Sequence, residues 1–273
     1  MIPEPRKDNT LLVVVGLIVI LIIATVIYVY SASPSETEDA DQWVAEGTEV
    51  LSPNATAIIL KHENCVECSS AENIVNGIKQ DENEIGTRIV EVRTVYDSSE
   101  EGRNMITRYN ITKLPAIVLQ KEGQWDSRML SIWFSEMGDV TDDSSLVYRN
   151  VVAPYYDTTT DSVRGIIDII YITDAECAEC YNVTLFVSDM VTVFRLYTGG
   201  VSEYDVSSVE GSAIVSKYNI TMVPTFLVSE DASLYPGFEE FWFRYESTEG
   251  EDGWYVFRDV DKIEVEYVMV NPS

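Results

Sequence analysis

The chain has 273 residues, 46% of them hydrophobic, which suffices for one large domain or two moderate ones with real cores. With 46 acidic against 18 basic residues the formal net charge is −28, so no basic stripe can neutralise phosphates and nucleic acid is argued against as a partner. Only seven residues are lysine. That balance fits either life in high salt, where self-repulsion is screened, or simply an acidic ectodomain.

Residues 11–30, "LLVVVGLIVILIIATVIYVY", carry no charge. At about 1.5 Å per residue this stretch can cross a hydrocarbon core roughly 30 Å thick. Tyr28 and Tyr30 suit an interfacial belt, and Arg6 and Lys7 precede the span, whereas an acidic stretch follows it. The expectation is a single-pass protein of the cell membrane, with a cytoplasmic tail (1–10), a transmembrane helix (11–30), an acidic linker (31–50) and everything beyond outside the cytoplasm. A cleaved signal peptide is the alternative, although Tyr30-Ser31-Ala32 makes a poor cleavage site.

Beyond residue 50 the sequence repeats. "RYNITKLPAIVL" (108–119) returns as "KYNITMVPTFLV" (217–228), and "VYRNV" (147–151) as "VFRDV" (256–260), both shifted by 109. "IWF" (132–134) matches "FWF" (241–243), and "YDSSEEG" (96–102) matches "YDVSSVEG" (204–211) with one insertion. A period this long means two globular units rather than a solenoid. We place them at 51–156 and 164–273, joined by the turn-rich "YYDTTTDSV" (155–163).

In chain order, "TAIILKH" and "GIIDIIYIT" are isoleucine-rich runs with the character of buried strands. "SSAENIVNGIKQ" and "LFVSDMVTVF" follow as first helices. "TRIVEVRTV" and "VFRLYTG" are predicted second strands, "EGRNMITRY" and "EGSAIVSKY" second helices. "PAIVLQ" and "PTFLVS" are third strands, each opening on a proline. The fold class is α/β. Asn110 and Asn219 sit where a helix would end and favour a left-handed C-cap. Together with Asn54 and Asn182 they also begin N-x-T glycosylation sequons.

The only four cysteines form two CxxC pairs, Cys65/Cys68 and Cys177/Cys180, each between a first strand and a first helix. A zinc site needs four ligands, and the pairs lie 112 residues apart with one histidine, His62, in the chain. His62 fits a surface or strand-end residue better than a ligand. Copper(I) is chemically allowed, but no methionine cluster accompanies the pairs. A structural staple over so short a loop removes little unfolded-state entropy. A redox pair fits best, because the start of a helix favours thiolate and the second thiol can displace a mixed disulfide.

Each half resembles a thioredoxin-fold domain: a CxxC at the start of a helix, then an "I-x-x-x-P" element opening a strand. The resemblance covers roughly 51–120 and 164–230. Two such domains in one chain resemble archaeal tandem protein disulfide oxidoreductases and, more distantly, protein disulfide isomerases. The resemblance implies attack by Cys65 and Cys177, resolution by Cys68 and Cys180, and cis prolines beside the pairs. Leu114-Pro115 and Val223-Pro224 would then be the client-contacting positions. No cofactor is implied. Several departures stand out: Val-Glu and Ala-Glu between the cysteines, Asn64 or Glu176 before them, and Ile59 and Tyr171 where a buried acid would sit. Acidic loop residues disfavour thiolate, which points to reducing or shuffling chemistry rather than strong oxidation. Segments 125–151 and 234–260 fall outside the pattern and suggest an added hairpin or lid.

The function expected is a membrane-anchored, extracytoplasmic thiol–disulfide oxidoreductase acting on client proteins and recycled by a separate redox partner. The alternative is a non-catalytic binding module of the same fold at the cell surface.

Overall fold

The structure is a computed structural model that describes residues 54–244 and 248–272. The tail, span and linker predicted over 1–50 lie outside the described residues, among which no helix is long and apolar enough to cross a membrane. Residues Val50–Ser273 form one compact unit.

The unit is mixed α/β and contains two five-stranded sheets of the same topology. In the first, β1 (Asn54–Lys61) runs parallel to β2 (Arg88–Tyr96) and antiparallel to β4 (Ala116–Gln120). Two short strands, β5 (Gly138–Val140) and β6 (Leu146–Tyr148), complete the order β2-β1-β4-β6-β5. The second sheet repeats it with β9 (Ile166–Thr173), β10 (Tyr197–Asp205), β12 (Thr225–Val228), β13 (Thr248–Glu249) and β14 (Tyr255–Val256).

The apolar runs become central strands because helices cover both of their faces. On β1, Ala57 and Ile59 face Val75 and Ile78 of α1 (Ala71–Gln80). The alternate residues Ile58 and Leu60 pack with Met105 and Tyr109 of α3 (Glu100–Tyr109), after the short α2 (Glu82–Ile85). Ile58 and Ile59 are each 1% exposed and each contributes on the order of 1.5–3 kcal/mol through burial. In the second half, Ile169 meets Val187 and Met190 of α5 (Val183–Phe194), and Ile172 meets Val215 of α6 (Val209–Lys217).

Segments 125–151 and 234–260 are not lids. They supply α4 (Ser127–Ile132) with a π turn at Trp133–Met137, α7 (Phe238–Arg244), and the β5–β6 and β13–β14 hairpins that finish each sheet. Trp133 and Trp242, the tryptophans of the repeated "WF" elements, are at most 1% exposed.

Other repeated residues also have structural roles. Asn110 and Asn219 take left-handed conformations (φ 49° and 50°) after the second helices. Arg149 and Arg258, from the repeated "VYR/VFR" elements, each donate through Nη1 at 3.0 Å to the carbonyl of that asparagine. Hydrogen bonds from a charged group contribute about 1.5–3 kcal/mol, so each arginine fastens a helix end to the hairpin.

The strand expected at 193–199 starts later. Helix α5 continues to Phe194, Arg195 turns in the left-handed region, and β10 begins at Tyr197. Val183, Val187 and Met190 bury one helical face, and that packing outweighs the β-branched composition. The joining segment 155–163 is a hairpin rather than an open tether. Strands β7 (Tyr155–Asp157) and β8 (Ser162–Arg164) pair with each other, and β7 pairs with β3 (Lys113–Leu114). At the junction of the halves, Asp231 accepts from Arg164 Nε at 2.7 Å and from the Gly165 amide at 2.6 Å. Leu234 packs on the first core and Ala153 on both.

Candidate functional site

Both CxxC pairs are closed disulfides, with Cα–Cα separations of 5.4 Å for Cys65–Cys68 and 5.5 Å for Cys177–Cys180. All four cysteines are half-buried. They lie between first strand and first helix, as expected, but not on the helix. The N-cap of α1 is Ser70 and that of α5 is Asn182, two residues beyond the second cysteine in each case. The chain stays extended there because the following amide bonds elsewhere: Ser69 N donates to Pro154 O at 2.8 Å, and Tyr181 N to Glu266 O at 3.1 Å. In the second half Asn182 Oδ1 accepts from the Thr184 and Leu185 amides, so those donors are already used. The help that a helix start would give a thiolate is therefore smaller than the sequence suggests.

Leu114-Pro115 and Val223-Pro224 are cis, as the resemblance implies, and Ala153-Pro154 is a third cis bond that it did not suggest. Leu114 and Val223 are fully buried in the second core of each half. Their strands already pair with β7 and with β15 (Val268–Met269), the latter through β11 (Met222–Val223). The Leu114 and Val223 side chains are thus turned into the core, whereas Pro115 lines the cavity at the first pair. Ile59 and Tyr171 are buried, so the environment is apolar where a buried acid would sit.

A cavity of ≈ 180 Å³ opens at the first pair, lined by Lys61, His62, Cys65, Cys68, Glu72 and Pro115. Larger hollows of ≈ 510 and 520 Å³ around Arg108 and Tyr109 contain no cysteine. Val66, between the cysteines, is 89% exposed and presents an apolar tip to any approaching chain. Lys61 pairs with Glu72 across the cavity rim, which leaves little net positive charge for a thiolate. Burial is the largest single influence and raises the Glu72 pKa, but the Lys61 bond and charge, its own backbone amide and the Ser70 hydroxyl together outweigh it, and the net shift is downward.

Sequence reasoning missed the polar group at this rim. His62 Nδ1 lies 2.6 Å from Asp97 Oδ2, and its ring stacks on Tyr156 with centroids 3.6 Å apart. The Tyr156 hydroxyl donates to Asp161, and that bond, with burial, pushes its pKa up to about 12. The partners lie 35 and 94 positions away from His62, on the turn after β2 and on a segment that looks like a linker, so no local signal joins them.

The second pair has a different setting. The residues after the first strands, His62 and Asp174, are equivalent, since the amides of Asp97 and Val206 donate to Lys61 O and Thr173 O. Likewise Leu114 pairs with Tyr156 where Val223 pairs with Val268. The second half thus carries Asp174, Val206 and Val268 in place of His62, Asp97 and Tyr156. Its cysteine loop is held by carboxylates instead: Asp174 Oδ1 accepts from Glu176 N at 2.9 Å, and Asp205 Oδ2 from Ala175 N at 2.7 Å. Among the described residues no group of three or more His, Cys, Asp or Glu is arranged to hold a metal ion. Of the sequon asparagines, Asn54 opens β1, Asn182 spends its Oδ1 on the cap, Asn110 is the C-cap of α3 and Asn219 follows Tyr218, the C-cap of α6; all four are exposed.

No protein-family model matches the chain, and no curated protein matches it by sequence. Among solved structures it is similar to the alkylhydroperoxide reductase AhpF of Enterococcus faecalis at 15% identity, over 65% of this chain and 82% of that one, with a TM-score of 0.20. It is also similar to human ERp44 (14% identity, 72% and 50% of the two chains, TM-score 0.17) and to ERdj5 (9%, 84% and 26%, TM-score 0.18). At these TM-scores the likeness establishes no shared fold.

Proposed function

We propose that the chain is a membrane-anchored thiol–disulfide oxidoreductase acting outside the cytoplasm on protein thiols and disulfides. The observation that carries this reading is the cavity at Cys65–Cys68. A closed, half-buried disulfide there lines an open hollow beside an ionisable side chain and a cis proline. Such a bond is accessible to a client thiolate, as exchange requires. Anchoring rests on the uncharged 11–30 stretch, and an external location also fits disulfides that persist. The partner that resets the pairs is a separate redox protein. One observation favours the non-catalytic reading: both pairs stand ahead of the helix and gain little thiolate stabilisation from it.

The two readings separate on native-state reduction. The folded chain, equilibrated in glutathione buffers and then alkylated, is expected to open Cys65–Cys68 without unfolding. A disulfide that yields only above the denaturation midpoint would leave the binding-module reading. The topology is checked by a membrane-impermeant protease on intact cells, which should digest everything beyond residue 31; full protection of the C-terminal half would reverse it.

A further inference from the structure

We propose that His62 is the proton acceptor and donor of the first cysteine pair, held by Asp97 and Tyr156, and that the second pair works without one. The inference deepens the oxidoreductase reading and rests on it.

Geometry assigns the histidine's protonation. An ionised carboxylate can only accept, so the Asp97 contact at 2.6 Å places a proton on Nδ1. Nε2 then carries the lone pair when the ring is neutral. Stacking on Tyr156 at an interplanar angle of 4° fixes the ring plane, and His62 lines the same cavity as Cys65 and Cys68. Asp97 orients the ring, the positioning role a carboxylate plays for an imidazole base. Histidine is the side chain suited to gaining and losing a proton near neutrality.

The other charged groups around the ring are committed. Lys61 is paired with Glu72, and the Tyr156 hydroxyl is bonded to Asp161 and stays protonated. Glu63 and Glu67 are the acidic residues of the cysteine loop.

A client thiol gives its proton to His62 Nε2, and the client thiolate attacks a sulfur of Cys65–Cys68. A client–cysteine S–S bond forms, the internal S–S bond breaks, and the departing cysteine thiolate takes the proton from the imidazolium. A second client thiol then attacks the client sulfur of the mixed disulfide in the same way. Overall the client dithiol is oxidised to a disulfide and the Cys65/Cys68 pair is reduced to two thiols, with two electrons and two protons transferred. The reverse sequence reduces a client disulfide. In the second half, Asp174 stands at the position of His62 and no imidazole is available.

The test uses the full chain with Cys177→Ser and Cys180→Ser, which isolates the first pair, and the full chain with Cys65→Ser and Cys68→Ser, which isolates the second. The rate of reduction by dithiothreitol is followed from pH 5 to 9, with and without His62→Gln. His62→Gln is expected to slow the first pair about 100-fold, the lower end for general acid–base catalysis. It should also flatten the pH profile after correction for dithiothreitol ionisation, and leave the pair's reduction potential nearly unchanged. Asp97→Asn should give a smaller loss, because the ring loses its orienting partner but keeps its lone pair. The second pair should already show the flat profile. An unchanged profile in His62→Gln, or the same limb in the second pair, overturns the role of His62 while the oxidoreductase reading stands. A parent first pair inert to dithiothreitol overturns both.

Discussion

Replacing Trp242 by alanine is expected to cost about 3–5 kcal/mol, the range for deleting a buried large aromatic side chain. The indole is 1% exposed and stands inside an aromatic cluster: Phe238 at 5.2 Å, Phe226 and Tyr255 both at 5.7 Å, and Phe257 at 6.2 Å. These rings come from α7, β12 and the β14 region, so the cavity would loosen three elements at once. Trp133 occupies the matching place in the first half but differs at its ring nitrogen. Its Nε1 donates to Asp139 O at 3.2 Å, whereas the buried Trp242 Nε1 has no partner among the described residues. An unpaired buried N–H carries a penalty of about 1–3 kcal/mol. Phenylalanine should therefore cost less at Trp242 than at Trp133, because one change removes an orphan and the other breaks a bond. Urea titrations of the variants measure this; an equal or reversed order of the two phenylalanine variants would contradict it.

Gly102→Ala is expected to destabilise by about 3 kcal/mol, the upper range for overpacking, although alanine is the better helix former by about 1 kcal/mol. Gly102 lies in the first turn of α3, where Ser99 Oγ caps its amide at 3.0 Å. An added Cβ would stand 2.0 Å from Tyr96 O, a backbone atom at the end of β2 that cannot swing aside. Gly211 repeats the arrangement with Asp205 O, again at 2.0 Å. Gly77, within α1, has nothing within 4 Å of its added Cβ. There Gly77→Ala should stabilise by roughly 0.5–1 kcal/mol, the ordinary propensity gain. Opposite signs of ΔΔG for the same substitution are the expected result. A stabilised Gly102→Ala protein would mean that strand and helix do not meet so closely.

The strands and helices were legible wherever burial is periodic and local. Ile58, Ile59 and Leu60 announce a central strand because both faces of β1 are covered, and the repeated "YNIT" blocks announce helix ends that asparagine caps. The repeated "WF" and "VYR/VFR" elements were visible as repeats but not as roles. Nothing in the sequence says that Trp133 fills a core, or that Arg149 reaches back 39 positions to Asn110 O. The separation of the cysteines from the first helices was hidden for a similar reason. It depends on the Pro154 and Glu266 carbonyls, which arrive from segments far along the chain. His62 was visible beside Cys65, but its chemistry comes from Asp97 and Tyr156, which only the sheet and the β7–β8 hairpin bring together. Contacts of that kind leave no periodic trace.

The most direct measurement of the oxidoreductase reading is covalent trapping. Cys68→Ser and Cys180→Ser chains remove the resolving thiol, so a mixed disulfide at Cys65 or Cys177 has no intramolecular escape. Run on non-reducing gels after exposure to reduced and oxidised client proteins, Cys68→Ser should accumulate reductant-sensitive adducts. Cys65→Ser should accumulate few, and Cys180→Ser fewer than Cys68→Ser. Absence of adducts from every single-cysteine variant, with both parent disulfides inert to dithiothreitol in the folded state, would contradict the account.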